Sequence, residues 1–227
     1  MKSLALAFLA FCALPAFAAD PSYLPPGQPD LILLLPAPPP AGSALERAEL
    51  AAVAAAQKAA TPERIALAVA DANESVFDMF TRTLGTDFVQ ASLPATAAFF
   101  ARVGESEDAA VGPAKTHFGR KRPFLTSPEI KALVPASKSG SWPSSHTSHV
   151  TLTAIVLAAM LPERRDAIWA RAAEYAESRV IGGVHYPLDL DAGRRAGTAI
   201  AAVMFTNPGF RADLEAARAE TRRVLGM

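Results

Sequence analysis

A chain of 227 residues with 22 basic and 22 acidic side chains offers nucleic acid no net attraction. Its single cysteine, Cys12, lies in a leader-like N-terminus, so once that leader is removed thiolate metal sites, cysteine nucleophiles and disulfides are excluded. No later apolar run reaches the roughly 20 residues a spanning helix needs. The longest, VTLTAIVLAAML at 150–161, has the length of a buried core helix.

The chain opens MKSLALAFLAFCALPAFAAD: one lysine, an apolar run, then an Ala-x-Ala pattern at Ala16–Ala18. This is the grammar of a secretory signal peptide, placed over residues 1–19, and it predicts a periplasmic or secreted protein without an integral membrane segment. Residues 20–42 are Pro-rich and read as an extended arm lying on the surface or on a partner subunit. LILLL at 31–35 is too apolar to leave in water and is expected to pack.

Residues 43–227 read as one helical domain. ALERAELAAVAAAQKAA at 44–60 has Ala-rich helical spacing. TPERIALAVADANESVFDMFTRTLG at 61–85 opens with a cap followed by proline at the first helical position. SLPATAAFFARVGE at 92–105 is the next helix, and 112–145 reads as loop with short helical pieces. A helix is expected from Thr147 to Leu161 and an amphipathic one over 162–179. VIGGVHYP at 180–187 is a turn, LDLDAGRRAGTAIAAVMF at 188–205 restarts a helix, NPGF stops it, and a charged helix ends the chain. Strand signals are few and no internal repeat is visible, so the expected fold is an all-α, single-domain helical bundle.

Three stretches carry chemistry. In KTHFGRKRP at 115–123, Lys115 supplies a point charge and Arg122 a planar fork that matches phosphate oxygens. They lie in a basic segment (Lys115, Arg120, Lys121, Arg122, Lys131, Lys138 against Glu129) that, taken alone, reads better as a solvated face. In GSWPSSHTSH at 140–149, Ser144, Ser145 and His146 precede an apolar helical run. Serines there cap free N–H groups, and those N–H groups with the helix dipole form an anion site beside a histidine able to donate a proton. An ordinary cap with an incidental histidine explains the stretch as well. A metal at His146 and His149 would need further ligands, and the stretch holds none. In SRVIGGVHYPLD at 178–189, Arg179 precedes a Gly-Gly turn that would let backbone approach a ligand. His185 follows, with Asp189 one turn on, able to fix the imidazole tautomer.

Taken in order, K-x6-RP, PS-x-H and SR-x5-H-x3-D resemble the three-part signature of the type 2 phosphatidic acid phosphatase and vanadium haloperoxidase superfamily. YLPPG, RKRPF, GSWPSSHT, SRVIGG and DAGRRAG make the chain most similar to the bacterial class A non-specific acid phosphatases. The resemblance implies a secreted acid phosphatase acting on phosphate monoesters such as nucleotides, sugar phosphates and aryl phosphates. It implies His185 as nucleophile, Asp189 as its orienting carboxylate and His146 as proton donor. Lys115, Arg122, Arg179, Ser144 and the backbone of Ser145 would hold the phosphoryl group, with no metal or cofactor. It further implies phosphotransfer to alcohols and a homo-oligomer. A vanadium-dependent haloperoxidase and a non-catalytic phosphate binder are the alternatives. Two positions depart from the pattern: Ser145 stands where the family carries glycine, and Gly182 where it carries cysteine. If the first position needed positive φ, Ser145 would be strained.

Overall fold

The computed structural model describes residues 22–135 and 137–227, and the expected leader at 1–19 lies outside them. Ten α-helices and two 3₁₀ turns make up the regular structure, with no strand among the described residues. The helices are α1 Leu31–Leu34, α2 Ala44–Ala59, α3 Pro62–Ala70, α4 Val76–Leu84, α5 Pro94–Phe118, α6 Pro123–Thr126, α7 Ser145–Met160, α8 Arg165–Ile181, α9 Pro187–Met204 and α10 Pro208–Val224. The expected all-α fold is therefore the observed one. Their starts follow the local code. Ser43, Thr61, Ser144 and Asn207 cap α2, α3, α7 and α10 with side-chain acceptors, and α3, α9 and α10 begin with proline.

α7 is buried along most of its length, Thr147 through Met160, which places it at the centre of the bundle. α8 and α9 flank it, and α5 and α10 close the far side. The approach of α9 is set by two glycines. A Cβ on Gly193 would lie 2.6 Å from the Ser144 carbonyl oxygen, and one on Gly197 2.4 Å from that of Ser148. Only a side chain without Cβ lets the backbones come this close. The contacts advance together along both helices, so α7 and α9 run parallel and their N-termini meet. The Ser144 N–H donates to the Asp189 carbonyl at 3.1 Å.

Three expectations are corrected. The 61–85 segment is not one helix: it breaks at 71–75 into α3 and α4, where the Asn73 side chain accepts from the Ser75 N–H and donates to Asp78, and Asp71 turns to Arg171 and Ser178 of α8. The 92–105 helix runs on through Gly112 and Pro113 to Phe118 and stops at Gly119, which is left-handed at φ 55°. Lys115 therefore sits on a helix, not in a loop. Finally, LILLL packs only in part. Asp30 caps a single turn, so only Leu31 and Leu35, one turn apart, face inward, while Ile32 and Leu34 are exposed and Leu33 is 81% exposed.

The arm is anchored in the main core. Its Tyr23 is buried, donates from its hydroxyl to Asp213 at 2.6 Å and meets the Phe210 ring edge-on at 5.2 Å. Among the described residues no helix is long and apolar enough to cross a membrane.

Candidate active site

The chemistry-bearing residues come from helix ends that converge beside the α7 N-terminus. Lys115 lies in the last turn of α5 and Arg179 in the last turn of α8, where the negative end of a helix favours a cation. Arg122 caps α6, Ser144 caps α7, and His185 and Asp189 straddle the start of α9. All eight residues singled out in the sequence thus fall in one region.

His185 is 1% exposed and Asp189 fully buried. His185 Nδ1 lies 3.2 Å from Asp189 Oδ2, and Arg122 Nη1 lies 3.1 Å from His185 Nε2. A guanidinium can only donate. Nε2 is therefore the acceptor with a lone pair, and the proton is on Nδ1, bonded to Asp189. Burial, followed by Lys115, Arg122 and Arg179, holds the imidazole well below its ordinary range, so it is neutral. Asp189 also accepts from the Tyr186 N–H at 2.9 Å and from Arg120 at 2.7 Å, and Arg120 continues to Glu49 at 2.6 Å. Burial pushes the Asp189 carboxyl up to about 6 against the pull of Arg120.

The three cations have unusual company. Lys115 Nζ donates to the carbonyls of Gly140 and Pro143 at 2.9 and 2.8 Å, and burial, then Arg122, pushes it down to about 8. Arg122 donates to the Val184 carbonyl at 2.9 Å. Arg179 is 2% exposed; among the described residues its Nε has no hydrogen-bond partner, and its Nη1 lies 3.5 Å from the Asp71 carbonyl. None of the three forms an ion pair among the described residues. The other two buried arginines do: Arg120 with Glu49 and Asp189, Arg171 with Asp71 and Glu174. Buried cations without carboxylates are costly unless an anion joins them.

Ser144 Oγ accepts from the Thr147 N–H at 3.2 Å and from its hydroxyl at 3.0 Å. Ser145 and His146 are the first two helical residues, whose N–H groups have no intrahelical partner. No residue other than glycine has positive φ among the described residues. Ser145 is therefore an unstrained helix-start residue, and its side chain places no demand on the backbone.

His146 is enclosed by the loop between α3 and α4. Its Nδ1 lies 3.1 Å from Glu74 Oε1 and its Nε2 3.3 Å from the Ala72 carbonyl, and its ring lies nearly parallel to Tyr175. Burial, then Arg179, pushes it down to about 3. The Ala72 carbonyl acts the other way, and a bound phosphate dianion would add to it. His149 hydrogen-bonds the Glu74 backbone, and its ring packs on Gly104. His117 is exposed.

The Gly-Gly turn is also reassigned. Gly183, at φ 73°, would put a Cβ 2.2 Å from the Lys131 carbonyl oxygen, so its close approach is to the chain itself and not to a ligand. Sequence reasoning missed Glu74, Arg120, Tyr175 and the Asp71–Arg171 pair. DANES at 71–75, polar turn residues inside a helical pattern, was the available signal for the loop.

The family model of the PAP2 superfamily matches residues 95–212, from the start of α5 into α10, and spans Lys115 to Asp189. The chain is 31% identical to a non-specific acid phosphatase of Providencia stuartii, over 97% of this chain and 98% of that one. It is 30% identical to an acid phosphatase of Zymomonas mobilis, over 86% and 76%. A non-specific acid phosphatase of Salmonella typhimurium is 38% identical over 49% and 46%. The fold resembles the crystal structure of a transmembrane PAP2 type phosphatidylglycerolphosphate phosphatase from Bacillus subtilis, with a TM-score of 0.54 at 18% identity, covering 78% of this chain and 90% of that one. The chain belongs to the PAP2 superfamily, where it groups with bacterial non-specific acid phosphatases.

Proposed function

We propose that the protein is an exported acid phosphatase that hydrolyses phosphate monoesters through a phosphohistidine on His185. The observation that carries this reading is the set of three buried cations without carboxylate partners, Lys115, Arg122 and Arg179, beside the lone pair of His185 Nε2. A phosphate dianion gives Lys115 and Arg122 stronger partners than carbonyls and gives Arg179 Nε the acceptor it lacks. The free N–H groups of Ser145 and His146, with Ser144, complete the cradle.

Arg122 moves from His185 Nε2 onto a phosphoryl oxygen, and Nε2 attacks phosphorus. The bond from phosphorus to the ester oxygen breaks, its electron pair goes to that oxygen, and His146 supplies the proton. The Nδ1–H bond to Asp189 stabilises the positive charge on the phosphorylated ring. His146, now neutral, takes a proton from water, and the water oxygen displaces His185 from phosphorus. An alcohol in place of water gives phosphotransfer. The first step needs protonated His146, which suits acid conditions. Neutralisation by three side chains makes a metal unnecessary on this reading. Nucleotides, sugar phosphates and aryl phosphates are the substrate class. Export rests on the leader at 1–19, and self-association on the exposed Ile32, Leu33 and Leu34 of the arm.

Hydrolysis of p-nitrophenyl phosphate across pH, with and without chelator, tests the mechanism in the wild type and in His185→Ala. The expected loss in His185→Ala is on the order of 10³-fold or more, with no chelator effect and an acid-labile phosphoenzyme in the wild type only. Activity that survives in His185→Ala, or disappears with chelator, sinks it. Vanadate-dependent halide oxidation without ester hydrolysis would replace it with the haloperoxidase reading.

A further inference from the structure

We infer that Glu74 is the positioning carboxylate of His146, the counterpart on the leaving-group side of what Asp189 is to His185. The inference rests on the phosphatase reading above and goes beyond it, because Glu74 lies outside the 95–212 stretch that the family model matches.

The geometry has three parts. Glu74 Oε1 lies 3.1 Å from His146 Nδ1, within range for an N–H to carboxylate bond. The other nitrogen, Nε2, meets among the described residues the Ala72 carbonyl at a long 3.3 Å, so it is the one able to hand its proton to a leaving oxygen. The third part is what makes the first two durable. Asp71, at the head of the same loop, is held by Arg171 and accepts from Ser178 at 2.5 Å. Tyr175 donates to the Asn73 carbonyl at 2.9 Å, and its ring backs the imidazole at 6.3 Å and 21°. The loop is thus fastened at Asp71 and Asn73, the neighbours in the chain of the two residues that hold His146.

A carboxylate at Nδ1 does two things for a general acid. It fixes the ring orientation, and its charge favours the imidazolium, opposing the burial and the Arg179 charge that disfavour it. Glu74 is 45% exposed at its side chain, so replacing it leaves no buried orphan and should not unfold the protein. Its hydrogen-bonding contact in the site is with His146, so on this reading its effect passes through proton donation.

That gives a readout which a merely structural role would not move. A good leaving group departs without a proton, and an alkoxide does not. The first chemical step is measured in single turnovers with p-nitrophenyl phosphate and with glycerol 2-phosphate, for the wild type, Glu74→Gln and Glu74→Asp. Glu74→Gln should slow the step about 10- to 100-fold with glycerol 2-phosphate and less than about 3-fold with p-nitrophenyl phosphate. Glu74→Asp should recover most of the difference. Equal slowing of both substrates, no slowing of either, or an aspartate no better than glutamine overturns the inference. If the wild type is active, His185→Ala is dead and Glu74→Gln behaves as wild type, only the Glu74 inference falls. If the wild type turns over neither substrate, the phosphatase reading falls and the inference with it.

Discussion

His185 takes its carboxylate from the next helical turn of its own chain, whereas His146 takes acceptors from a loop between two earlier helices. On the first side everything is sealed. Asp189 is fully buried, and Arg120 and Glu49 extend the chain of contacts to α2. On the second side the loop is pinned from behind by Arg171 and Tyr175, and Glu74 stands half in solvent. A nucleophile that must hold one tautomer profits from a rigid dry pair. A proton donor that must exchange with water once per cycle profits from an exposed one. The same contrast separates the buried arginines. Arg120 and Arg171 hold carboxylates, while Arg122 and Arg179 form no ion pair among the described residues and, on the phosphatase reading, are left for an anion.

The largest effect should come from the sealed side. Asp189→Asn removes the tautomer control and the charge behind His185, and should lower kcat by about 10³-fold with both good and poor leaving groups. A loss confined to poor leaving groups would mean that the two sides had been assigned the wrong way round. The arginines come next. Arg179→Met should lower kcat/KM about 10²- to 10³-fold without lowering the unfolding temperature. Arg171→Met should instead cost about 3–5 kcal/mol of stability, because it strands the buried Asp71. Unfolding curves beside kinetics decide this, and an Arg179→Met protein as destabilised as Arg171→Met would erase the contrast.

A smaller effect is expected from pH. With Lys115 held at about 8 in the free site, kcat/KM should fall about tenfold per unit above that pH as the ammonium loses its proton. Lys115→Arg should abolish this limb, since guanidinium stays charged. The same shift runs the other way for the fold. Between about 8 and the ordinary 10.5 the unfolded chain binds the proton that the folded one has lost, so this group's contribution makes stability rise with pH in that window. The smallest effect belongs to Ser145→Gly: rates within about 3-fold of wild type and a stability loss under about 1 kcal/mol, the cost of glycine at an unstrained helical position. A large gain in rate would show that the hydroxyl obstructs phosphate.

How much of this was legible depends on the distance over which each contact acts. The cap at Ser144, the Asp189–His185 spacing and the helical signals of α2, α7, α8 and α9 act within one or two turns, and such patterns repeat in the linear chain. Pro113 reads as a local stop, yet α5 continues through it because Val111, Ala114 and Lys115 are buried against neighbours. LILLL reads as a packing unit, yet a single capped turn can present only Leu31 and Leu35 to the core. Arg120 was visible only as one charge among six between 115 and 138, and nothing nearby in the chain distinguishes it from Lys121, which stays exposed.

By itself the sequence determined the all-helical bundle and the identity of the phosphate-site candidates, because helix periodicity, capping and motif spacing are short-range properties of the chain. Tertiary structure alone decided which cations keep no carboxylate, which nitrogen of His185 carries the lone pair, that Ser145 is unstrained, and that Glu74 faces His146. Each of these depends on helix ends brought together by the close parallel packing of α7 and α9 across Gly193 and Gly197, and by a loop fastened to α8. Long-range contacts of this kind leave no periodic trace in the order of residues.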